Sequence, residues 1–350
     1  MDKIINRILL VGVSLLILSC QQTDVFSSMD QNKRRAYIEF SNYTNSMTRA
    51  SSVSGIGNFT LGDTMAVWGV QTTGNIVDII FNNQDVRYID STTWTYDNKK
   101  LWNIGSDYMF YGVFPFSNSL YRMSDDDNYL LTIPKYKVPD STKYQVDLMI
   151  SERRNVPPLN TVDMIFHHIL SNVNVYAMIG DAIDSTGVLS VTIKKLKFYN
   201  VRSTGKYVQT GWNDKTNEAI GSWSVISDDY MNLDSITDLV LDKTPIALYD
   251  DYLMMPQQLG TAGYDPKNVS IDVTIQVLYA DSATQTFSEK GRVLYGITGT
   301  NGSTSKAIIK WEPNYQYNYY LVFNPGFPIE FTATVDEWTP EYTVSHIMNE

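Results

Sequence analysis

The chain has 350 residues, a formal net charge of −11 and a single cysteine. The acidic charge argues against nucleic acid or anionic lipid as a partner, because both attract basic surfaces. A single cysteine excludes internal disulfide bonds, so packed apolar cores must stabilise the fold.

The first twenty residues have the pattern of an export signal. Lys3 and Arg7 precede an apolar run of eleven residues at positions 8–18. A membrane-spanning helix needs about 20 residues, so this run predicts a signal peptide at residues 1–19 and not a transmembrane segment. Cys20 stands where a bacterial lipobox places its acylated cysteine. The alternative is an ordinary secretory signal in which Cys20 is incidental.

Composition divides the rest of the chain. Residues 20–35 have few apolar side chains, which indicates a tether. The remaining length exceeds one average domain, so we expect two. Residues 151–160 (SERRNVPPLN) combine charges with paired prolines and are the best boundary in the sequence. They separate a predicted N-terminal domain at 36–155 from a C-terminal domain at 161–350.

Short segments with period-two alternation dominate both halves, starting with the alternating run at residues 36–40. In residues 269–280 the side chains of Val269, Ile271, Val273, Ile275 and Val277 alternate with mainly polar ones, the strongest such signal in the chain. Further strands are expected at residues 63–70, 108–116, 129–133, 147–150, 165–179, 188–201, 253–255, 315–323 and 329–338.

Spacers rich in Gly, Asn, Asp, Ser and Pro separate these strands, and helical periodicity is poor. The pattern predicts an all-β protein built from two antiparallel β-sandwiches in series. Residues 298–304 (TGTNGST) are predicted to form a hairpin tip. Within 188–201, Leu189, Val191 and Ile193 should share one face. Apolar residues then change phase, which indicates a β-bulge.

Side chains for catalysis or metal binding are scarce. The mature chain has three histidines, His167, His168 and His346. Neighbouring strand residues point to opposite faces, so we expect one of the first two to bond internally and the other to be exposed. Too few ligands remain for a zinc site, and phosphate-loop and nucleophile motifs are missing. The sequence therefore predicts a protein that is not an enzyme and has no cofactor or metal.

Two ligand sites are weaker alternatives. Asp125, Asp126 and Asp127 could supply oxygens to calcium, but the run lacks the spacing of an EF-hand and is better explained as a solvated acidic loop. Exposed aromatic rings around Trp94 and Trp102 could form a platform for sugars, but aromatic rings also fill sandwich cores, which is the better explanation. A carbohydrate-active enzyme would need two carboxylates in a cleft, which counting residues cannot identify.

Taken together, the segments resemble the fimbrillin-like family of Bacteroides-type bacteria. The resemblance covers nearly the whole mature chain and follows the family's usual order. The matching segments are the lipobox at Cys20 and residues 47–50 (MTRA), 59–70 (FTLGDTMAVWGV), 109–115 (MFYGVFP), 146–149 (VDLM), 166–173 (FHHILSNV), 254–257 (MMPQ), 311–317 (WEPNYQY) and 329–338 (IEFTATVDEW).

The resemblance implies two transthyretin-like β-sandwich domains in tandem and export as a lipoprotein to the outer membrane. It also implies assembly with other fimbrial subunits at the cell surface, where a host or bacterial ligand would be bound. In polymerising members an arginine-specific protease removes an N-terminal segment with its first strand. A strand of the next subunit then fills the groove that opens.

The residues of this chain allow a version of that scheme. Cleavage between Arg49 and Ala50 would release the strand-bearing segment 36–49 and leave an open edge for strand addition. Arg34 and Arg35 are competing sites, but cleavage there would leave the first strand in place. An ordinary loop arginine at position 49 is the alternative.

The C-terminal residues 340–350 are a candidate donor strand, in which Tyr342, Val344, His346 and Met348 would face one way. Head-to-tail insertion of such a tail does not close, so it builds filaments. The alternative is a tail that pairs within its own domain. Two other functions remain open at this point. One is an uncleaved, lipid-anchored base subunit, and the other is a surface lipoprotein that binds glycans.

Overall fold

The computed structural model of the chain describes residues 36–41, 59–89, 93–124, 130–181, 187–213, 218–263, 265–324 and 329–338. Within these ranges, regular structure consists of β-strands and one short 3-10 helix, Thr142–Tyr144. The prediction of an all-β fold is confirmed. No helix in the described ranges is long and apolar enough to span a bilayer.

Ten strands precede the first long strand of the C-terminal half. They are β1 (Phe40–Ser41), β2 (Thr64–Thr73), β3 (Ile76–Tyr88), β4 (Trp94–Thr95), β5 (Asp107–Phe114), β6 (Arg122–Met123), β7 (Leu131–Lys137), β8 (Met149–Arg153), β9 (Val162–Asp163) and β10 (His167–His168).

Twelve further strands follow. They are β11 (Ser171–Ile179), β12 (Val188–Tyr199), β13 (Thr204–Asn213), β14 (Glu218–Val225), β15 (Leu239–Val240), β16 (Ile246–Met254), β17 (Ser270–Tyr279), β18 (Thr284–Val293), β19 (Ile297–Asn301), β20 (Thr304–Ile308), β21 (Tyr315–Phe323) and β22 (Glu330–Glu337).

The first sheet has eight strands in the order β10-β8-β5-β2-β3-β4-β1-β9. Its central strand β2 is buried on both faces, which explains why its sequence is a nearly continuous apolar run. Met65 and Val67 point into a smaller, aromatic core, whereas Ala66 and Trp68 point into a larger one. This sheet therefore separates the two cores.

The larger core is enclosed by three more sheets. Their strand orders are β16-β11-β21-β22-β19-β20, β15-β12-β17-β18 and β14-β13-β7-β6. Most pairings are antiparallel, as predicted. Parallel pairs also occur, the longest of which joins residues 172–179 of β11 to 316–323 of β21. Parallel partners lie far apart in sequence, so local patterns did not indicate them.

Strand pairing and packing connect both sides of the predicted domain boundary. In β7, Ile133 pairs with Tyr207 of β13, and both side chains lie in the larger core. The first residues of the predicted boundary, 151–153, belong to β8. The division into domains at 36–155 and 161–350, and its transthyretin-like detail, stay predictions.

Several local predictions are confirmed, but the one for Leu189 is wrong. The predicted face of β17, including Val273, is buried, and residues 297–308 form the predicted hairpin. A register shift between Ile193 and Lys195 confirms the bulge in β12. However, Leu189 is 65% exposed and does not share the buried face of Val191. A second register shift, between residues 188 and 190, turns its side chain to solvent.

The strand predicted to end before Pro134 continues to Lys137. The register of β7 against β13 shifts between the pairs Ile133–Tyr207 and Tyr136–Gly205, so Pro134 lies at an irregularity of the ladder. Such a site tolerates a residue without a backbone N–H. Therefore the proline marks a bulge in this strand and not its end.

Candidate functional site

Residues 36–41 occupy a groove at one end of the eight-stranded sheet. Their sequence alternates as predicted, because Ile38 and Phe40 are fully buried while Tyr37 is 52% exposed. Burying an apolar side chain of this size contributes about 1.5–3 kcal/mol relative to exposure. Burial of these two side chains therefore contributes much of the free energy that holds the segment in the groove.

The backbone of the segment is hydrogen-bonded on both sides. On one side, the N–H of Ile38 donates to the Lys100 carbonyl at 2.8 Å, and Trp102 N–H donates to the Ala36 carbonyl at 3.0 Å. On the other side, Val162 N–H donates to the Glu39 carbonyl at 2.8 Å. The segment thus lies between the region of β4 on one flank and β9 on the other.

Aromatic rings form the floor of the groove. The ring of Phe40 packs edge-to-face against Phe81, Phe110 and Tyr96, with centroid distances of 5.5, 5.6 and 5.8 Å. The backbone approaches this cluster closely at Gly69, where a Cβ would lie 2.6 Å from the Phe81 ring. A larger residue at position 69 would therefore displace the floor.

The side chain of Tyr96 fixes the backbone of the segment at Ile38. The hydroxyl of Tyr96 donates to the Ile38 carbonyl at 2.8 Å and accepts the Lys100 N–H at 3.1 Å. Burial raises the pKa of Tyr96. Its hydroxyl consequently stays protonated at neutral pH and remains a donor to the segment.

Removing residues 36–41 would uncover both kinds of attachment at once. The aromatic floor would meet water, and the N–H groups of Trp102 and Val162 would lose the carbonyls that they now contact. An unpaired strand edge beside an apolar groove is a template for a new strand with apolar residues at alternate positions.

The residues that the sequence assigns to processing and exchange lie outside the described residues. These are Cys20, Arg49, Ala50, Tyr342, Val344, His346 and Met348, and the acidic run at 125–127 lies outside them as well. Their roles stay predictions.

The end of the described chain is anchored in the larger core. Trp338 is buried and stacks on His168, with ring centroids 3.7 Å apart and 12° between the planes. The Trp338 N–H donates to the carbonyl of Asn314 at 2.8 Å. Residues 339–350 continue from this fixed point.

The two neighbouring histidines differ in environment. His168 is buried and its Nδ1 lies 2.7 Å from a carboxylate oxygen of Asp147, which confirms the internal bond expected for one of the pair. His167 is half-buried and not exposed as predicted, because it lines a small cavity beside Tyr315 and Glu337. Within the described ranges, no three His, Cys, Asp or Glu side chains cluster as a metal site.

The weaker alternative of a sugar platform around Trp94 and Trp102 is wrong, because both rings are almost completely buried in the smaller core. Trp94 packs edge-on against Phe59 at 4.7 Å, and Trp102 against Tyr108 at 4.6 Å. The abundance of aromatic residues did not reveal whether they face a core or solvent.

A family model described as fimbrillin-like matches residues 48–338. None of the curated proteins matches the sequence significantly. Similar solved structures include a candidate cell adhesion protein from Bacteroides uniformis, with 14% identity over 87% of this chain and 98% of that one and a TM-score of 0.44. A candidate cell adhesion protein from Parabacteroides distasonis has 10% identity over 87% and 99% of the chains, with a TM-score of 0.49. A fimbrilin from Porphyromonas gingivalis has 7% identity over 89% and 99%, with a TM-score of 0.40.

Proposed function

We propose, from the premise that the chain belongs to the fimbrillin-like family, that it is a subunit of cell-surface fimbriae that assembles by strand exchange. It is exported as a lipoprotein that is acylated at Cys20, and it reaches the outer membrane. It acts as a structural or adhesive protein and not as an enzyme, and its partners are other fimbrial subunits.

The observation that supports strand exchange most directly is the way residues 36–41 are held. Two buried side chains, Ile38 and Phe40, fill an aromatic groove, and backbone bonds flank them on both sides. Once the chain is cut at Arg49, the segment is no longer covalently linked to the rest of the chain and is held by these contacts alone. An incoming strand that offers apolar residues at alternate positions can replace each of them.

The C-terminal tail has the composition for that replacement. Tyr342 and Val344 alternate with Thr343 and Ser345, and His346 and Met348 continue the same face, although Ile347 on the other face is apolar. The tail begins after the anchored Trp338. Insertion of this tail into the groove of a second copy uses different surfaces on the two subunits. A contact of this kind repeats without closing and produces a filament.

An arginine-specific protease provides the test. Purified chain is cut, its new N-terminus is sequenced, and its assembly is followed by size-exclusion chromatography and negative-stain microscopy. We expect Ala50 as the new N-terminus and filaments that depend on the cut. Arg49→Lys keeps the charge but resists this protease, so it should stay monomeric. As a matched control, the double variant with Arg34→Lys and Arg35→Lys should assemble normally.

Deleting the tail separates cleavage from exchange. A chain that ends at Trp338 should be cut at the same site and remain monomeric. A peptide of residues 340–350 should bind the cut chain but not the uncut one. Filaments from the uncut chain, or from the chain without its tail, would contradict strand exchange.

An uncleaved base subunit is the second candidate, because a chain that keeps residues 36–41 in its groove has no open edge there to accept a tail. Such a subunit keeps residues 36–41 in place and offers only its tail to a neighbour. Its mature N-terminus on the cell surface would be an acylated Cys20 and not Ala50. Mass spectrometry of protein recovered from sheared filaments distinguishes the two.

A further inference from the structure

The hairpin of β2 and β3 extends beyond both hydrophobic cores. Its strands pair as far as Thr73 and Ile76, and a turn at Gly74 and Asn75 joins them. Burial ends before the turn is reached, because Phe81 of β3 is 1% exposed whereas residues 74–79 are all exposed. The outer part of the hairpin therefore has solvent on both of its faces.

Apolar side chains cover this outer part. Ile76, Val77 and Ile79 are between 49% and 64% exposed, and we call these three residues the tip patch. Neighbouring strand residues point to opposite faces, so each face of the hairpin carries an exposed aliphatic side chain. Adjacent exposed apolar residues, unlike scattered single ones, mark a contact surface.

Carboxylates lie beside the tip patch. Asp78 belongs to the same run of β3, and Asp107 of β5 pairs with Thr72 of β2 near the turn. Thr72 also pairs with Val77, so Asp107 and Val77 lie on one face of the sheet, on either side of Thr72. Both carboxylates are exposed. The tip therefore combines aliphatic groups with negative charge.

The tip patch lies at the end of the sheet where residues 36–41 begin. β3 runs away from the tip, β4 is antiparallel to β3, and β1 is antiparallel to β4. β1 therefore also runs away from the tip, and Ala36 is the end of the segment nearest to it. Between them, the Trp102 ring packs on Tyr108 at 4.6 Å, and the Tyr108 hydroxyl donates to Gln71 Oε1 at 3.2 Å. A guest strand that runs as residues 36–41 do would enter beside the tip patch.

In the proposed strand exchange, the start of the tail brings the donor subunit close to this end of the groove. Tyr342 is the first tail residue of the face assigned to the groove, and it follows Trp338 by four residues. Four residues of extended chain span at most about 14 Å. Surfaces of the donor near Trp338 must therefore lie close to the acceptor where the tail enters.

One such surface is a cavity of about 240 Å³ beside β22. Val335, three residues before Trp338, lines it together with the exposed Ile309. Gly299 leaves it room, because a Cβ at this position would lie 2.6 Å from a methyl group of Val335. The volume is below the range of small-molecule sites, roughly 300–1,000 Å³, so the cavity suits side chains of a protein.

Two lysines line this cavity and are exposed, Lys306 and Lys310. Lys310 forms an ion pair with Glu312, which leaves the charge of Lys306 for a partner. The cavity thus offers aliphatic groups beside a positive charge, whereas the tip offers aliphatic groups beside negative charges. The two surfaces are complementary.

We propose that the tip patch of one subunit docks into this cavity of the subunit that donates its tail. The aliphatic side chains of the tip pack against those of the cavity, and Asp107 pairs with Lys306. The two surfaces differ, so the contact is heterologous and repeats along a filament. The inference rests on the proposed strand exchange and names a second surface by which neighbouring subunits bind each other.

Filament formation by the protease-cut chain tests this contact. Ile79→Ser removes an exposed aliphatic group, so the fold should tolerate it, and thermal unfolding checks this. We expect the concentration needed for half-maximal assembly to rise by about ten-fold or more, which corresponds to about 1.4 kcal/mol. Leu61→Ser is the matched control, because Leu61 is exposed before the opposite end of β2. This variant should assemble as the wild type does.

Charge reversal tests the pairing of the two surfaces. Asp107→Lys and Lys306→Asp should each weaken assembly, because each brings two like charges together. The double variant restores opposite charges and should assemble better than either single variant. Failure of the double variant to recover would overturn the assigned contact.

A peptide of residues 340–350 separates this proposal from strand exchange. It should bind the cut Ile79→Ser variant as tightly as the cut wild type, because the groove is unchanged. If the peptide binds and the Ile79→Ser variant assembles normally, docking of the tip is wrong while strand exchange stands. If the cut wild type neither binds the peptide nor forms filaments, both proposals fail.

Discussion

Strands β1 and β17 are both interior strands with a neighbour on each side, yet they are attached in different ways. β17 pairs with β12 along residues 270–279 and with β18 along nearly the same length. β1 pairs through Phe40 with Trp94 and through its two residues with β9. Both strands bury alternate side chains in a core.

The two strands are alike in side-chain burial and differ in the length of their backbone pairing. β17 has long ladders on both flanks and is continuous with its neighbours in the sheet, so its loss would unfold the larger core. The segment with β1 depends mainly on Ile38 and Phe40 and on a few backbone bonds. A strand of that kind can be replaced by another of similar pattern without rebuilding the sheet.

The largest expected effect comes from a charge in β17. Val273→Asp would place a carboxylate at a position that is 1% exposed. An uncompensated buried charge typically costs about 3–5 kcal/mol, so we expect global loss of stability or no folded protein. Chemical denaturation measures this. Gln276→Asp, on the other face of the same strand, is the control and should change stability little. A folded Val273→Asp variant of wild-type stability would remove the contrast with β1.

Phe40→Ala tests the other side of the comparison. It should weaken the seating of residues 36–41 by about 1.5–3 kcal/mol, the value for burying a side chain of this size. The eight-stranded sheet should persist because the segment can detach alone. Hydrogen exchange should then accelerate at Ile38 while exchange in β17 stays slow. Tyr37→Ala removes an exposed ring and serves as the control. Equal acceleration in both strands would show that β1 does not detach independently.

A smaller effect is expected where strand β8 of the eight-stranded sheet meets strand β13 beside the larger core. Glu152 is buried, and its carboxylate bonds to Arg154 and accepts Gln209 Nε2 at 2.9 Å. Burial raises the pKa of Glu152 despite the opposing influence of Arg154. A raised pKa means that the native state holds the proton more readily than the unfolded state. This contribution to stability is therefore complete at low pH and is lost as pH rises through the native pKa.

Glu152→Gln removes the ionisation and keeps an acceptor for Gln209. Stability at neutral pH should be unchanged or higher by about 1 kcal/mol, and the pH dependence from this residue should disappear. Denaturation curves at several pH values provide the measurement. The exposed Glu39→Gln is the control. A marked loss of stability at neutral pH would show that the pair with Arg154 outweighs the cost of burial.

The sequence predicted the features that depend on local pattern. The alternation in β17 and the phase change after Ile193 follow directly from side-chain order. The first segment was expected for the same reason, since Ile38 and Phe40 alternate with Tyr37 and Glu39. In each case the alternation of apolar and polar residues along the strand decides which side chains are buried.

Features that depend on distant neighbours were not predicted. The pairing of β7 with β13 and the parallel pairs arise from segments far apart in the chain. Whether Trp94 faces a core or solvent depends on which other rings surround it. Strand β3 has a β-bulge at Asn82–Asn83, because Val67 of β2 pairs with Gln84 and Gly69 with Phe81. Its only signal in the sequence is the Asn pair, which turns and loops use as well.

The groove around β1 has one further property. β1 is antiparallel to β4 and parallel to β9. A guest entering in the reverse orientation would be parallel to β4 and antiparallel to β9, so the backbone would meet one neighbour of each sense in either case. The directions of the two neighbouring strands therefore do not fix the direction of a guest strand in the groove. In the proposed strand exchange, the direction in which the guest strand runs must therefore be decided by which of its side chains reaches the rings beneath Phe40.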